Sequence, residues 1–172
     1  MAVCASADNA YQTLTMNHKT LSLPAAILIA GLIVGTFDAI AASVFSYGFS
    51  GSTPDKVFRY VASGVFGKEA FGGGMSVAAW GLFFHFIVAT GWTALFYLLQ
   101  PKISFLSSKY IAGIAYGIFI WLMMNFVVVP LSNVPPATFH FTVRTAVMIM
   151  IHMFIIGVPI SYLANKYYAT AN

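Results

Sequence analysis

The chain is poor in charged residues. Asp, Glu, Lys and Arg together make up 7% of its 172 residues, whereas hydrophobic residues make up 60%. Soluble globular domains carry about 25% charged residues, so this composition excludes an ordinary water-soluble fold. A chain of this length makes one domain, and its main solvent is expected to be a lipid bilayer rather than water.

Cysteine is nearly absent as well. Cys4 is the single cysteine, so the chain forms no internal disulfide and has no paired thiols for redox exchange or for a thiolate zinc site. No serine, threonine or cysteine lies in a recognisable nucleophile elbow. These absences favour a non-enzymatic protein without deciding the matter, and we assign no catalytic residue.

The positive charge of the chain is dispersed. The formal net charge is +4, but the eight Lys and Arg residues are scattered between hydrophobic runs instead of gathering on one face. Such a pattern is typical of side chains that anchor helix ends at a membrane surface. We therefore expect the lipid bilayer, and not a nucleic acid, as the partner.

Long apolar runs are what the chain does contain. Four of them are long enough to cross a bilayer as α-helices, and they lie at residues 24–47, 77–98, 110–129 and 143–163. We predict an all-α polytopic membrane protein with four transmembrane helices. The predicted boundaries are a flexible N-terminal tail at 1–20, a single four-helix transmembrane domain at 21–166 and a C-terminal tail at 167–172.

A shorter helix is predicted between the first and second spans. Thr53 and Pro54 form a helix start, and the next residues alternate apolar side chains such as Val57 with basic ones such as Lys56 and Arg59. The segment is too short to span. It is typical of an amphipathic helix that lies in the interface or packs across the mouth of the bundle.

Four spans place both chain termini on one side of the membrane. Lys and Arg divide equally between the two sides, but on the termini side they flank short loops directly, whereas the other side also carries Asp55 and Glu69. We therefore expect both termini to be cytoplasmic. Met16 resembles a second translation start, and if it is used, Cys4 and Asp8 are not part of the natural protein.

Two pairs of glycines are spaced for close helix packing. Gly31 and Gly35 lie in the first span, and Gly113 and Gly117 lie in the third. Small residues four apart let two helices approach closely, either inside the bundle or in a homo-oligomer or larger membrane complex. In the fourth span, Pro159 is expected to cause a kink or to leave the Ile155 carbonyl free.

Each span carries a polar side chain at a depth where polarity is costly. With a rise of about 1.5 Å per residue, Asp38, His85, Asn125 and His152 all fall in the half of the bilayer nearer the 130–136 loop. Their depths agree to within roughly 8 Å, so a shared buried polar cluster is geometrically possible. Even lenient scales put an aspartate at a helix centre at about 2.5–3.5 kcal/mol.

Three interpretations of this cluster stay open. It could be a structural contact that fixes helix register. It could make the protein a proton-responsive accessory subunit or a small proton- or ion-coupled transporter, with no cofactor and no metal. As the alternative, His85 and His152 could be ligands of haem b or of a metal ion in a membrane protein.

Several short segments resemble the YagU-like family of small bacterial inner-membrane proteins. They are Gly31-Leu-Ile-Val-Gly35, His85-Phe-Ile-Val-Ala-Thr-Gly91, Pro130-Leu-Ser-Asn-Val-Pro-Pro136 and the span that contains His152. The resemblance covers most of residues 23–163. It implies a four-helix inner-membrane protein from a family without an established biochemical activity, one branch of which is linked to acid tolerance. The long extramembrane insertion of that branch after its first span is shorter here.

Overall fold

The computed structural model describes residues 21–136 and 140–171, and that part of the chain is all-helical apart from its connections. In chain order the helices are α1 (Leu23–Ser50), α2 (Pro54–Phe66), α3 (Met75–Leu99), α4 (Ile111–Leu131) and α5 (143–171). All except α2 are long and apolar enough to cross a membrane. The predicted all-α class with four candidate spans is confirmed at this level, and it fits a multi-pass membrane protein.

The helix α2 forms at the place where the sequence predicts a short helix. Arg59 ties it to the loop after it, because its guanidinium donates to the carbonyl oxygens of Phe71 at 3.0 Å and Gly73 at 2.9 Å and pairs with the Asp55 carboxylate. A hydrogen bond from the Thr53 side chain and the nearby Arg59 lower the pKa of Asp55. This stretch is therefore held as one unit.

Close backbone contact holds α2 against α3. An ideal Cβ built on Gly81 would lie 1.8 Å from the carbonyl oxygen of Phe58, a distance that no side chain can occupy. The Phe58 ring also meets the His85 ring edge-on, with centroids 6.2 Å apart. The contact with α3 is thus defined, whereas the position of α2 relative to a membrane surface stays a prediction.

Glycines bring α1 and α3 together. An ideal Cβ on Gly31 would lie 2.7 Å from Oγ1 of Thr90, and one on Gly35 would lie 2.9 Å from the ring of Phe86. Both distances are shorter than van der Waals contact, so any larger residue at either position would push the two helices apart.

Glycines also bring α4 and α5 together, in closer contact than the first pair. An ideal Cβ on Gly113 would lie 2.6 Å from Cα of Val158, and one on Gly117 would lie 2.3 Å from the carbonyl oxygen of His152. An ideal Cβ on Gly157 would lie 2.0 Å from the carbonyl oxygen of Gly113. The bundle therefore consists of two tight helix pairs. The four predicted packing glycines lie at these contacts, and Gly157 is a fifth glycine in close contact that the four-residue spacing does not reveal.

Large side chains fill the space between the two pairs, in the half of the bundle nearest the chain termini. Val34, Phe96, Tyr116 and Ile160 are all buried there. The Tyr116 hydroxyl donates to the Trp92 carbonyl oxygen at 2.7 Å, which joins α4 to α3. This core forms the floor of a small cavity between the two pairs.

Both α4 and α5 contain a π turn, at Met124–Val128 and His152–Gly157 respectively. Each turn ends two residues before a proline, Pro130 or Pro159. Proline lacks an N–H and its ring crowds the carbonyl four residues earlier, and a widened turn accommodates both effects. The sequence predicts a kink or a free carbonyl at Pro159. It also predicts that the third span ends at residue 129, but the helix continues through Pro130 to Leu131.

The predicted C-terminal tail at 167–172 is wrong over most of its length. The helix continues through Ala171, and the Tyr168 hydroxyl donates to the carbonyl oxygen of Tyr97 at 2.6 Å. Tyr167 also packs against Tyr97, with ring centroids 5.9 Å apart. The contacts of Tyr167 and Tyr168 with α3 therefore extend the packed part of the domain beyond residue 166. The predicted N-terminal tail at 1–20 lies outside the described residues.

Candidate functional site

A small cavity lies between the two helix pairs. All four long helices line it, and α1, α3 and α5 contribute polar side chains. Asp38 of α1, His85 and Trp92 of α3, Met124 of α4 and His152 of α5 line it, and aliphatic side chains complete its wall. We call this space the polar cavity. Its volume is about 70 Å³, and since a water molecule occupies roughly 30 Å³ of liquid, about two waters fit.

His85 is fixed by the opposite helix. Its Nε2 lies 2.9 Å from the carbonyl oxygen of Gly35 and 4.0 Å from Oδ2 of Asp38. Because a carbonyl can only accept, Nε2 carries a hydrogen and donates it. The neutral ring then has its free lone pair on Nδ1, and a second proton there would make it a cation beside the Asp38 carboxylate.

His152 is fixed by its own helix. Its Nδ1 lies 2.8 Å from the carbonyl oxygen of Met148, so Nδ1 carries the hydrogen and the lone pair of the neutral ring is on Nε2. The two imidazoles of the cavity therefore have opposite tautomers when neutral. Each keeps one nitrogen that can take up a proton.

Asp38 has one ion-pair partner within the described part of the chain. Among residues 21–136 and 140–171, that partner is His85. The Asp38 side chain is 24% exposed and the His85 side chain 13%, while His152 is 8% exposed. A carboxylate partly withdrawn from water is costly unless a cation or a proton accompanies it, and the two imidazoles are the groups of the cavity that can supply one.

Trp92 and Met124 also line the cavity, in addition to the polar residues predicted from the sequence. The Trp92 indole Nε1 donates to the Met124 sulfur at 3.3 Å, which links α3 to α4 beside the imidazoles. A sequence signal for Trp92 exists, because residues seven apart lie on nearly the same helix face and His85 precedes it by seven positions.

The structure does not bring Asn125 into this group, and its prediction as a member of the buried cluster is wrong. Asn125 is exposed, and its Nδ2 donates to the carbonyl oxygen of Trp121 at 2.8 Å, within its own helix. A spacing of four residues drifts by about 40° per step around an α-helix. After the steps from Gly113 through Gly117 and Trp121, Asn125 has rotated away from the buried face.

The two π turns border the polar cavity. Each begins with a residue that lines it, Met124 in α4 and His152 in α5. A π turn inserts one residue into the helix and rotates the next turns about the helix axis. The π turns therefore determine which side chains of α4 and α5 face Asp38 and His85.

The cavity does not fit a haem. His85 and His152 both line it, as the haem hypothesis requires, and each donates one ring N–H to a backbone carbonyl, as metal-ligating histidines do. However, binding sites for organic molecules as large as a drug measure roughly 300–1,000 Å³. The volume of the polar cavity, 70 Å³, is far smaller. Within the described ranges, no group of three His, Cys, Asp or Glu side chains is arranged to hold a metal ion.

Comparison of the chain with protein-family models, with curated proteins and with solved structures gives no match. The resemblance to the YagU-like family stays a prediction.

Proposed function

We propose that this chain is a small integral membrane protein that binds and releases a proton in the polar cavity, as a proton-responsive accessory subunit or a small proton-coupled transporter. The supporting observation is that Asp38, His85 and His152 come from three different helices and line one cavity. A register contact between two helices does not require a second histidine or a water-sized space.

The charge balance of the cavity supports one exchangeable proton. With both imidazoles neutral and Asp38 ionised, the cavity carries a net charge of −1, which is unfavourable away from bulk water. One added proton makes it neutral, whether the proton is held by the carboxyl group or by an imidazole. A further proton makes it cationic, so uptake is expected to stop at one, and the proton belongs to the coupled group rather than to one side chain.

Infrared difference spectra between alkaline and acidic pH test this proposal. We expect a pH-dependent carboxyl or imidazole signal that Asp38→Asn removes, because the variant has no charge to neutralise. Asp55→Asn is the matched control, since Asp55 lies on α2 outside the cavity, and it should leave that signal in place. An Asp38→Asn protein that titrates like the wild type would show that the cluster is structural.

A metal ion bound by the two histidines is the second candidate function, and the carbonyl bonds of their rings favour it. Elemental analysis and a visible absorption spectrum of the purified protein distinguish it from the first. A stoichiometric metal or a Soret band would replace the proton proposal, and the small volume of the cavity makes us expect neither.

For its location we propose a bacterial inner membrane with both termini cytoplasmic. The described residues at the termini end include Lys102 and Lys109 and no acidic side chain, whereas Asp55 and Glu69 lie at the opposite end. In a Cys4→Ser background, an impermeant thiol reagent added from outside is expected to label Lys56→Cys and not Lys102→Cys. The opposite labelling would reverse the orientation.

A further inference from the structure

A second, larger cavity opens between α1 and α5 near the chain termini. Ala26, Ile29 and Ile33 line it from α1, and Leu163 and Lys166 line it from α5. We call it the Lys166 groove. Its volume is about 340 Å³, which lies in the range of sites that bind small molecules, roughly 300–1,000 Å³.

Polarity changes along the Lys166 groove. Lys166 and Thr170 line the end near the chain termini, whereas Ile33 and Leu163 line the end deeper in the bundle. Ile33 is seven residues beyond Ala26 (33 − 26), which corresponds to about 10 Å along the helix. The groove thus begins at the depth of a polar surface and continues into the apolar layer, as a bound amphiphile would.

Lys166 has no anionic partner in the part of the chain that the structure describes. The ion pairs there join Asp55 to Arg59 and Asp38 to His85, and both lie away from the groove. The Lys166 side chain is exposed at the groove mouth. A negative charge is therefore what this end of the groove lacks.

We propose that the Lys166 groove binds an anionic phospholipid, with the phosphate on the Lys166 ammonium and one acyl chain between Ile33 and Leu163. Lysine binds phosphate as a point charge, and basic pockets between transmembrane helices on the cytoplasmic side suit anionic head groups. A soluble anion would leave the apolar end unfilled. A zwitterionic lipid also has a phosphate, but it would bring a second cationic group next to Lys166. A second copy of this chain, whose own termini end is also basic, would leave Lys166 unpaired.

Native mass spectrometry of the full chain, released from nanodiscs of phosphatidylcholine with a minority of phosphatidylglycerol, tests the proposal. We expect retained phosphatidylglycerol in the wild type and a roughly fivefold loss in Lys166→Gln. Lys102→Gln, an exposed lysine at the same end but outside the groove, should retain wild-type binding. Ala26→Phe, which fills the groove, should also reduce retention.

Equal retention of the two lipids, or equal losses in Lys166→Gln and Lys102→Gln, would overturn the proposal. A photoreactive amino acid in place of Ile29 identifies the occupant directly, even if Ala26→Phe fails to fold. An adduct with phosphatidylglycerol is expected. Capture of a second copy, or of a peptide from residues 1–20 of the same chain, would show that protein covers the groove and would contradict lipid binding.

Discussion

Gly117→Ala is expected to lower the free energy of unfolding by about 3 kcal/mol, because the added methyl group has no space. Its Cβ would lie 2.3 Å from the carbonyl oxygen of His152 and 2.6 Å from Cα of Met153. Both are backbone atoms, so no side-chain rotation relieves the overlap, and α4 must move away from α5 by about 1 Å to restore ordinary contact. Unfolding in a graded series of sodium dodecyl sulfate concentrations, followed by circular dichroism, measures the loss.

Gly91→Ala is the matched control for this prediction. Gly91 lies inside α3, and a Cβ there meets no atom within 4 Å. Alanine is the better helix former by about 1 kcal/mol, so this variant should be as stable as the wild type or more so. If both variants unfold at the same detergent fraction, the close contact between α4 and α5 does not exist.

The same substitution of Gly117 should also change the polar cavity. Gly117 touches the carbonyl of His152, which is the first residue of a π turn and lines the cavity. A displaced α5 would carry this imidazole away from Asp38 and His85. The pH-dependent infrared signal is therefore expected to change in Gly117→Ala, so the packing of a helix pair and the chemistry of the cavity depend on one contact.

Depth in the bundle could be predicted from the sequence, because the rise per residue of a helix is constant. Counting along the apolar runs placed Asp38, His85 and His152 at similar depth, and the structure places all three around one cavity. The packing glycines were also visible, since two of their pairs are spaced by four residues.

Rotation about the helix axis could not be predicted in the same way. Asn125 shares the depth of the other polar residues but lies on another face, because a four-residue spacing does not match the period of the helix. Gly157 has no glycine four residues away in its own helix, so its contact with Gly113 depends on how α4 and α5 approach each other. The π turns before Pro130 and Pro159 add a rotation that regular helix geometry omits.

His85→Gln is expected to destabilise the protein by about 1–3 kcal/mol near neutral pH, because it removes the imidazole that can pair with Asp38 as a cation. The glutamine side chain has an N–H that can reach the carbonyl oxygen of Gly35, so it can replace the wild-type hydrogen bond of 2.9 Å. It cannot replace the positive charge of a protonated imidazole. In acid, where the Asp38 carboxyl is protonated, the difference from the wild type should disappear. The unfolding curves of the two proteins across pH measure it.

A double-mutant cycle separates the loss of charge pairing from a general loss of packing. Asp38→Asn alone should cost little, because an amide beside a neutral imidazole leaves no charge in the cavity. Asp38→Asn combined with His85→Gln should then be more stable than His85→Gln alone near neutral pH. This difference between the two variants should disappear in acid, where the Asp38 carboxyl is protonated. If the two losses simply add, Asp38 and His85 are not coupled, and the carboxylate 4.0 Å from Nε2 is balanced by something other than this histidine. If the double variant is more stable than His85→Gln, the stability lost in His85→Gln comes from an unpaired Asp38 carboxylate in the cavity. This is the negative charge that one bound proton neutralises in the wild type.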